Sequence, residues 1–305
     1  MPELPDITIY VESLERHLKG EVLLDLRLIN PFVLRSVEPG MKDLIGKKIV
    51  AFRNIGKRIV FEFKSEGDQA PLFLVLHLMI AGRLRWKKKN AKVARKRGLA
   101  VFDFEKGSLV LTEASTKKRA SIYIVSGEEE LSLHDRGGID IFLADTQKFI
   151  EALSRKNHTI KRALTDPRIL SGIGNAYSDE ILHHAKLSPY KQTKTFSEEE
   201  FKNLNASCKA VLEEWTTRFR QEVDDGFPDK VTAFRKEMAV HGKYKEPCPV
   251  CGNKIQRIRY ASNESNYCAH CQTGGKLFAD RCLSKLLKKD WPKTLEELDE
   301  RMNQK

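Results

Sequence analysis

Four cysteines stand as two pairs, Cys248-x-x-Cys251 and Cys268-x-x-Cys271, with sixteen residues between them. Two such knuckles at that separation fit a tetrahedral four-thiolate site at the base of a two-stranded ribbon, and Gly252 suits the first knuckle's turn. Four protein ligands leave no position for water, so the single Zn2+ expected here is structural rather than catalytic. Cys208 and Cys282 lie outside the pattern and are expected as half-buried helix residues.

The second candidate chemistry is at the start, Met1-Pro2-Glu3. With Met1 removed, Pro2 offers a secondary α-amine, and an ordinary α-amino group titrates at about 7.7–8.0. A useful fraction is therefore neutral near neutral pH. Such an amine can attack a sugar C1′ and form an iminium with the opened sugar. Glu3 beside it is placed to protonate the ring oxygen or shuttle protons. Alone, this start carries no meaning.

Two further features suit phosphate. Arg83 to Arg97 holds nine Lys and Arg and no acid, and Lys117, Lys118 and Arg119 form a second cluster. A one-sided run beside a zinc ribbon suits phosphate contact, although a charge run by itself is as readily a solvated loop. Gly172-Ile173-Gly174-Asn175 lies between two helical patterns, where a tight turn leaves backbone N–H groups and a helix N-terminus open to an anion.

The elements that must position these residues are legible in the hydrophobic periodicity. Ile7, Tyr10, Val11, Leu14 and Leu18 recur at spacings of three and four, which predicts a helix over Glu3–Lys19, ended by Gly20. Short β-rich runs follow at Val22–Ile29, Lys48–Phe52, Arg58–Phe63, Leu72–Leu78, Leu99–Phe104, Ser108–Leu111 and Ser121–Val125, and predict an antiparallel sandwich. From about Asp145 the pattern is helical: Phe149–Ser154, Ile160–Leu164, Ala176–Ala185 and a long run from Ser197, where Ser197 and Glu200 make a capping box. Residues 245–272 are short and β-like, and the tail beyond Gly274 mixes charges around Leu283, Leu286 and Leu287.

The 305 residues allow two or three domains and an ample core. With 41% hydrophobic and 31% charged residues, wholesale disorder is excluded. No run approaches the roughly 20 apolar residues of a membrane span. The start has no basic residue and is not a secretory signal. The cysteine pattern points to a reducing, intracellular setting. A net charge of +12 favours a polyanionic partner.

In this order, these pieces resemble the formamidopyrimidine-DNA glycosylase and endonuclease VIII family. The resemblance is carried by Pro2-Glu3-Leu4-Pro5, Lys57 in Gly56-Lys57-Arg58, His77-Leu78 followed by Gly82, Gly172-Ile173-Gly174-Asn175-Ala176-Tyr177, and the Cys248–Cys271 ribbon; it covers about residues 1–272. It implies an α+β multidomain fold: an N-terminal helix plus antiparallel β-sandwich at 1–135, a helix-two-turns-helix domain at 145–225, a zinc ribbon at 245–272, and a tail at 273–305, with DNA in the cleft between the two halves. It also implies base-excision repair: a damaged base, oxidised or ring-opened purine, is flipped out and removed, and the abasic strand is cut by β/δ-elimination. By match, Pro2 is the nucleophile and Glu3 the proton donor, and Lys57 holds a phosphate or assists at the sugar. Lys161 and Asn175 grip phosphates flanking the lesion, and His77 belongs to the same DNA-binding set. The expected partner is damaged double-stranded DNA, met by a monomer in the cytoplasm, associated with the nucleoid, with no membrane involved.

Three departures stand out. Asp6 replaces the family's usual Glu on the first helix. Asn263 stands five residues before the third cysteine, where the family places an Arg; Asn donates a hydrogen bond without charge, and Arg257, Arg259 and Tyr260 lie nearby. Thr112–Arg119 lacks the aromatic wedge of the family's loop, leaving Lys118 or Arg119 to insert, and Ile80 stands where the third wedge carries Met. Unstacking a base costs a few kcal/mol, so a weaker wedge favours lesions already unstacked or abasic. The alternatives are a weakly catalytic binder of abasic or distorted DNA with the same fold, and a zinc-ribbon adaptor using the basic run and tail.

Overall fold

The computed structural model describes residues 1–65, 67, 69–229, 231–260, 263–279 and 290–303. The chain divides into two compact units, Met1–Gly137 with Glu214–Ala233, and Gly138–Glu213 with Phe234–Lys305.

In the first unit, α1 (Leu4–Leu18) starts with Pro5 in its first turn, where a missing N–H is harmless, and with a capping box between Glu3 and Asp6. Two antiparallel four-stranded sheets follow. One has the order β2 (Ile49–Ile55), β3 (Arg58–Phe63), β4 (Leu72–His77), β8 (Ser121–Ser126). The other has β1 (Asp25–Leu28), β6 (Gly98–Asp103), β7 (Ser108–Glu113), β5 (Gly82–Lys87).

Alternation decides which side chains meet. Ile59, Phe61 and Phe63 of β3 join Leu74 and Leu76 of β4, Phe102 of β6, and Leu109 and Leu111 of β7 in one core, with Ile7, Tyr10, Leu14 and Leu18 of α1 packed into it. The intervening Val60, Phe73 and Val75 face the other way, under Leu131 of α2 (Gly127–Ser132). The expected sandwich is present. Strand β5 was not expected, because Gly82–Lys87 reads first as the head of a basic run. Its alternation of Arg83, Arg85 and Lys87 with buried Leu84 and half-buried Trp86 is nonetheless a strand pattern.

The second unit is helical, with α3 (Thr146–Ser154), α4 (Ile160–Thr165), α5 (Asn175–His184) and the first part of α6 (Glu198–Val223). Ser197 and Glu200 exchange the expected capping bonds at 2.9 and 3.2 Å. Cys208 is fully buried in α6 rather than half-buried, and burial pushes its thiol far above the usual range. The hairpin β9 (Gln256–Tyr260) and β10 (Asn263–Tyr267) leads into α7 (Ala269–Thr273), so the second cysteine pair sits on a helix start rather than on a strand. The final helix, α8 (Leu295–Asn303), contributes Leu295 and Leu298 to a cluster with Ile258 and Tyr267. Cys282, Leu283, Leu286 and Leu287 lie outside the described residues. No helix among the described residues is long and apolar enough to cross a membrane.

Candidate active site

In the first unit the chain start is built into the protein. Pro2 is buried ahead of α1, and Glu3 is only 2% exposed. The Asp6 carboxylate accepts the Glu3 N–H at 2.9 Å, so the acid that departs from the family pattern fixes the backbone of the expected proton donor. Burial lowers the affinity of the Met1 α-amine, one residue ahead of Pro2, for its proton; Arg83 and Lys57 lower it further, against Glu3 and Asp6. Lys57, on the turn between β2 and β3, is itself pushed down by burial and held up by the same two acids. The structure thus brings the Met1 amine, Glu3, Asp6, Lys57 and Arg83 into one electrostatic cluster around the chain start. Arg83 is the member that the sequence shows only as the head of a basic run.

His77 ends β4, paired with Arg58 across β3 and with Ser121 across β8. Burial, with Arg58, Lys57 and Arg136 nearby, pushes its imidazole down to about 4. It is therefore neutral near pH 7 and offers one N–H donor. The following turn is tight. Met79 sits at φ 53°, and a Cβ on Gly82 would lie 2.3 Å from the Leu78 carbonyl oxygen. Ile80 at its tip is 53% exposed, as an inserting residue must be.

The loop after β7 is pinned by Glu113, 1% exposed, whose carboxylate accepts the Arg119 and Ala120 N–H groups at 2.8 and 3.1 Å. The Lys118 ammonium donates to the Glu113 carbonyl. Of the two expected inserters, Lys118 is therefore folded onto the loop's base and Arg119 is the exposed one.

In the second unit, Gly172 takes φ 82° and Asn175 opens α5 after Gly174. Lys161 differs from expectation. Its ammonium lies 2.5 Å from Asp179, 3.0 Å from Ser178 Oγ and 3.1 Å from the Asn175 carbonyl. An ammonium has three donors, so all three are committed inside the protein and Lys161 ties α4 to the first turn of α5, which Asn175 opens. Asp179, 1% exposed, also meets His241 Nδ1 at 2.8 Å and Asn266 Nδ2 at 3.3 Å. Its neighbour Glu180 accepts the N–H groups of Ala239, Val240 and His241 at 2.7–3.0 Å. These carboxylates join the helices to the segment that leads into the cysteine ribbon. Nothing in a one-dimensional pattern marked them.

The thiol sulfurs of Cys248, Cys251, Cys268 and Cys271 all lie within 4.8 Å of one another, with Cys251–Cys268 at 3.4 Å and Cys248–Cys271 at 4.0 Å. Tetrahedral zinc with Zn–S bonds of about 2.3 Å needs sulfurs about 3.8 Å apart, so the donor set fits one zinc ion held by these four residues. His183 of α5 adds a ring nitrogen 3.3 Å from Cys248 Sγ. Asn263 opens β10, paired with Tyr260. Arg257 is held over the Tyr244 ring and near Glu264, which leaves Arg259 as the exposed arginine of β9.

Three family models match the chain: the formamidopyrimidine-DNA glycosylase N-terminal domain at residues 1–120, its H2TH domain at 142–221, and a zinc finger found in FPG and IleRS at 245–274. The formamidopyrimidine-DNA glycosylase of Desulforamulus reducens is 29% identical over 89% of this chain and 99% of its own length. A formamidopyrimidine-DNA glycosylase-like protein of Mycobacterium tuberculosis is 37% identical over 50% of this chain and 94% of its own. Among solved structures, MutM in complex with DNA containing carbocyclic 8-oxo-G superposes with a TM-score of 0.78 at 26% identity, covering 89% of this chain and all of that one. Lactococcus lactis Fpg with abasic-site DNA gives 0.75 at 26% identity, covering 89% and 99%. The chain belongs to the formamidopyrimidine-DNA glycosylase family.

Proposed function

We propose that this protein is a bifunctional base-excision repair enzyme. It removes oxidised or ring-opened bases from duplex DNA and then cuts the abasic strand. The observation that carries the proposal is the environment of the chain start: Pro2 is buried beside a buried Glu3, and the Met1 amine one residue ahead feels the charges of Glu3, Asp6, Arg83 and Lys57.

With Met1 removed, the neutral Pro2 nitrogen attacks C1′ of the damaged nucleoside. The C1′–base bond breaks, its electron pair leaves with the base, and Glu3 supplies the proton that opens the sugar. The resulting iminium acidifies C2′–H. Loss of that proton expels the 3′ phosphate, and a second elimination expels the 5′ phosphate. Lys57, beside Glu3 and the chain start, adds to the charges that disfavour a proton on the amine and meets negative charge at the sugar. Neutral His77 and Asn175 donate to strand phosphates; Lys161 acts by holding the Asn175 turn; Arg119 and Ile80 fill the space of the extruded base. The four-cysteine zinc is structural and takes no part in bond making. The place of work is the cytoplasm, on the nucleoid, and the protein acts as a monomer.

Relatives of this fold are known in complex with DNA carrying Fapy-dG, an oxidised pyrimidine or an abasic site, which supports a substrate range of oxidised and ring-opened bases. The test is borohydride trapping on two duplexes, one with an abasic site and one with an oxidised purine. Covalent cross-links to both, lost with Pro2→Gly, are expected. A cross-link to the abasic duplex alone would restrict the activity to the lyase half. Tight binding without any cross-link would leave a damaged-DNA binding protein.

A further inference from the structure

The outer face of the β5 sheet carries cations that the catalytic cluster does not use. Arg83 belongs to that cluster, but it also begins a row. Arg83, Arg85 and Lys87 point to the same side of β5, because side chains alternate along a strand, while Leu84 and Trp86 face the core. At about 3.4 Å per residue the row extends about 14 Å away from Arg83.

Beyond Lys87 the chain does not leave the sheet. It folds back over β7, with Val93 against Gly98, and encloses a shallow cavity of about 410 Å3. Arg85, Lys87, Lys88, Lys89 and Lys92 line that cavity, and no acid does.

The loop is clamped. Ala91 donates its N–H to Ser108 Oγ at 3.3 Å and accepts from Arg27 Nη2 at 3.1 Å. Ser108 and Arg27 both bond Asp103, 7% exposed, at 2.5 Å. A solvated charge run has no need of a part-buried ion pair to hold it. Beyond Arg83, two acids form ion pairs with these cations among the described residues, Asp229 with Arg85 at 3.5 Å and Glu105 with Lys89 at 2.7 Å; both pairs are exposed, of the kind that hold little energy, so a phosphate can displace them.

We infer that this clamped basic face is a second DNA contact, which takes the sugar-phosphate backbone of the duplex flanking the lesion. The inference rests on the DNA-acting proposal above. Its occupant is duplex DNA rather than an acidic protein because the row is continuous with the catalytic cluster through Arg83, and DNA engaged at one end is led along the other.

The test compares the full-length protein with the triple variant Lys87→Gln, Lys88→Gln, Lys92→Gln on abasic duplexes with flanks of about three or about twelve base pairs at about 3.4 Å rise. Each phosphate contact contributes about 0.9 to the slope of log affinity against log salt. On long flanks the slope is expected to fall by about 2.7. Between 50 and 200 mM salt the wild type then loses about 40-fold more affinity than the variant. On short flanks the two proteins are expected to bind alike, and Lys→Arg at the same positions restores the slope. Borohydride trapping at saturating DNA in low salt is expected to be unchanged. An unchanged slope on long flanks overturns the inference and points to an acidic protein or to no partner. An equal deficit on both flank lengths overturns it too, because the charge would then act through the general field. Failure of wild-type trapping would instead strike the enzymatic proposal and leave the slope comparison intact.

Discussion

Lys161 and Asp179 form an ion pair at 2.5 Å, with the carboxylate fully buried and the ammonium nearly so. His241 stands on the carboxylate's other oxygen at 2.8 Å. The lysine that sequence matching assigns to DNA phosphate is spent on holding together the turn that presents Asn175.

Removing one member of such a pair leaves the other buried without its counter-charge, at a cost of about 3–5 kcal/mol. Asp179→Asn is therefore expected to lower the urea midpoint by that equivalent at unchanged slope. Lys161→Met is expected to cost less, because His241 and Asn266 remain on the carboxylate. If Lys161→Met instead left stability untouched and only weakened DNA binding, the internal role assigned to the lysine would be wrong.

The terminal amine gives a pH prediction. Burial and the neighbouring cations Arg83 and Lys57 favour the neutral form of the Met1 amine, and the Pro2 amine that Met1 removal creates one residue further in is expected to meet the same cations; neutrality is what a nucleophile requires. Single-turnover cleavage of an abasic duplex should rise with pH through the amine's pKa, with its half-maximal point below the ordinary α-amine value of about 8. Arg83→Gln removes a cation that disfavours the protonated form, so the half-maximal point should move up. A point that stayed fixed or moved down would remove Arg83 from the cluster.

His77 gives a stability prediction of definite sign. Its folded pKa of about 4 lies below the unfolded value of 6.5, so the unfolded chain binds the extra proton first. Stability is complete above 6.5 and falls as pH drops toward 4, by at most about 3 kcal/mol from this group. Chemical unfolding of wild type and His77→Asn across that window should show the wild type losing more. Parallel curves would mean that the imidazole is not held neutral.

The sequence carried the elements well where periodicity was clean. The α1 stripe, the β3 and β4 runs and the Ser197 capping box reappear within one or two residues of their expected bounds. The four cysteines were equally legible, since metal coordination constrains spacing along the chain. What escaped was set by long-range contact. Asp179 and Glu180 look like two acids in a helix until α5 meets residues 239–241. Strand β5 was hidden because charge outweighed alternation. In one dimension Lys161 is a phosphate-binding cation, because three partners, two of them more than fifteen residues away, cannot be seen there.

The turn between β4 and β5 depends on one missing methyl group. At Gly82 a Cβ would fall 2.3 Å from the Leu78 carbonyl oxygen and 2.9 Å from its carbon, both backbone atoms that cannot swing aside. That carbonyl also accepts the Gly82 N–H at 2.9 Å, closing the turn that exposes Ile80. Gly82→Ala must open this turn. It is expected to cost about 2–3 kcal/mol and to displace Ile80. Removal of a paired oxidised base, which needs the space of the flipped nucleotide filled, should fall more than tenfold, whereas cutting of a pre-formed abasic site should fall far less. Ile80→Gly provides the control, because it removes the inserting side chain without straining the turn. Both variants should lose base removal, and only Gly82→Ala should lose stability. Equal loss of both activities in Ile80→Gly would show that the residue serves the sugar chemistry rather than base extrusion.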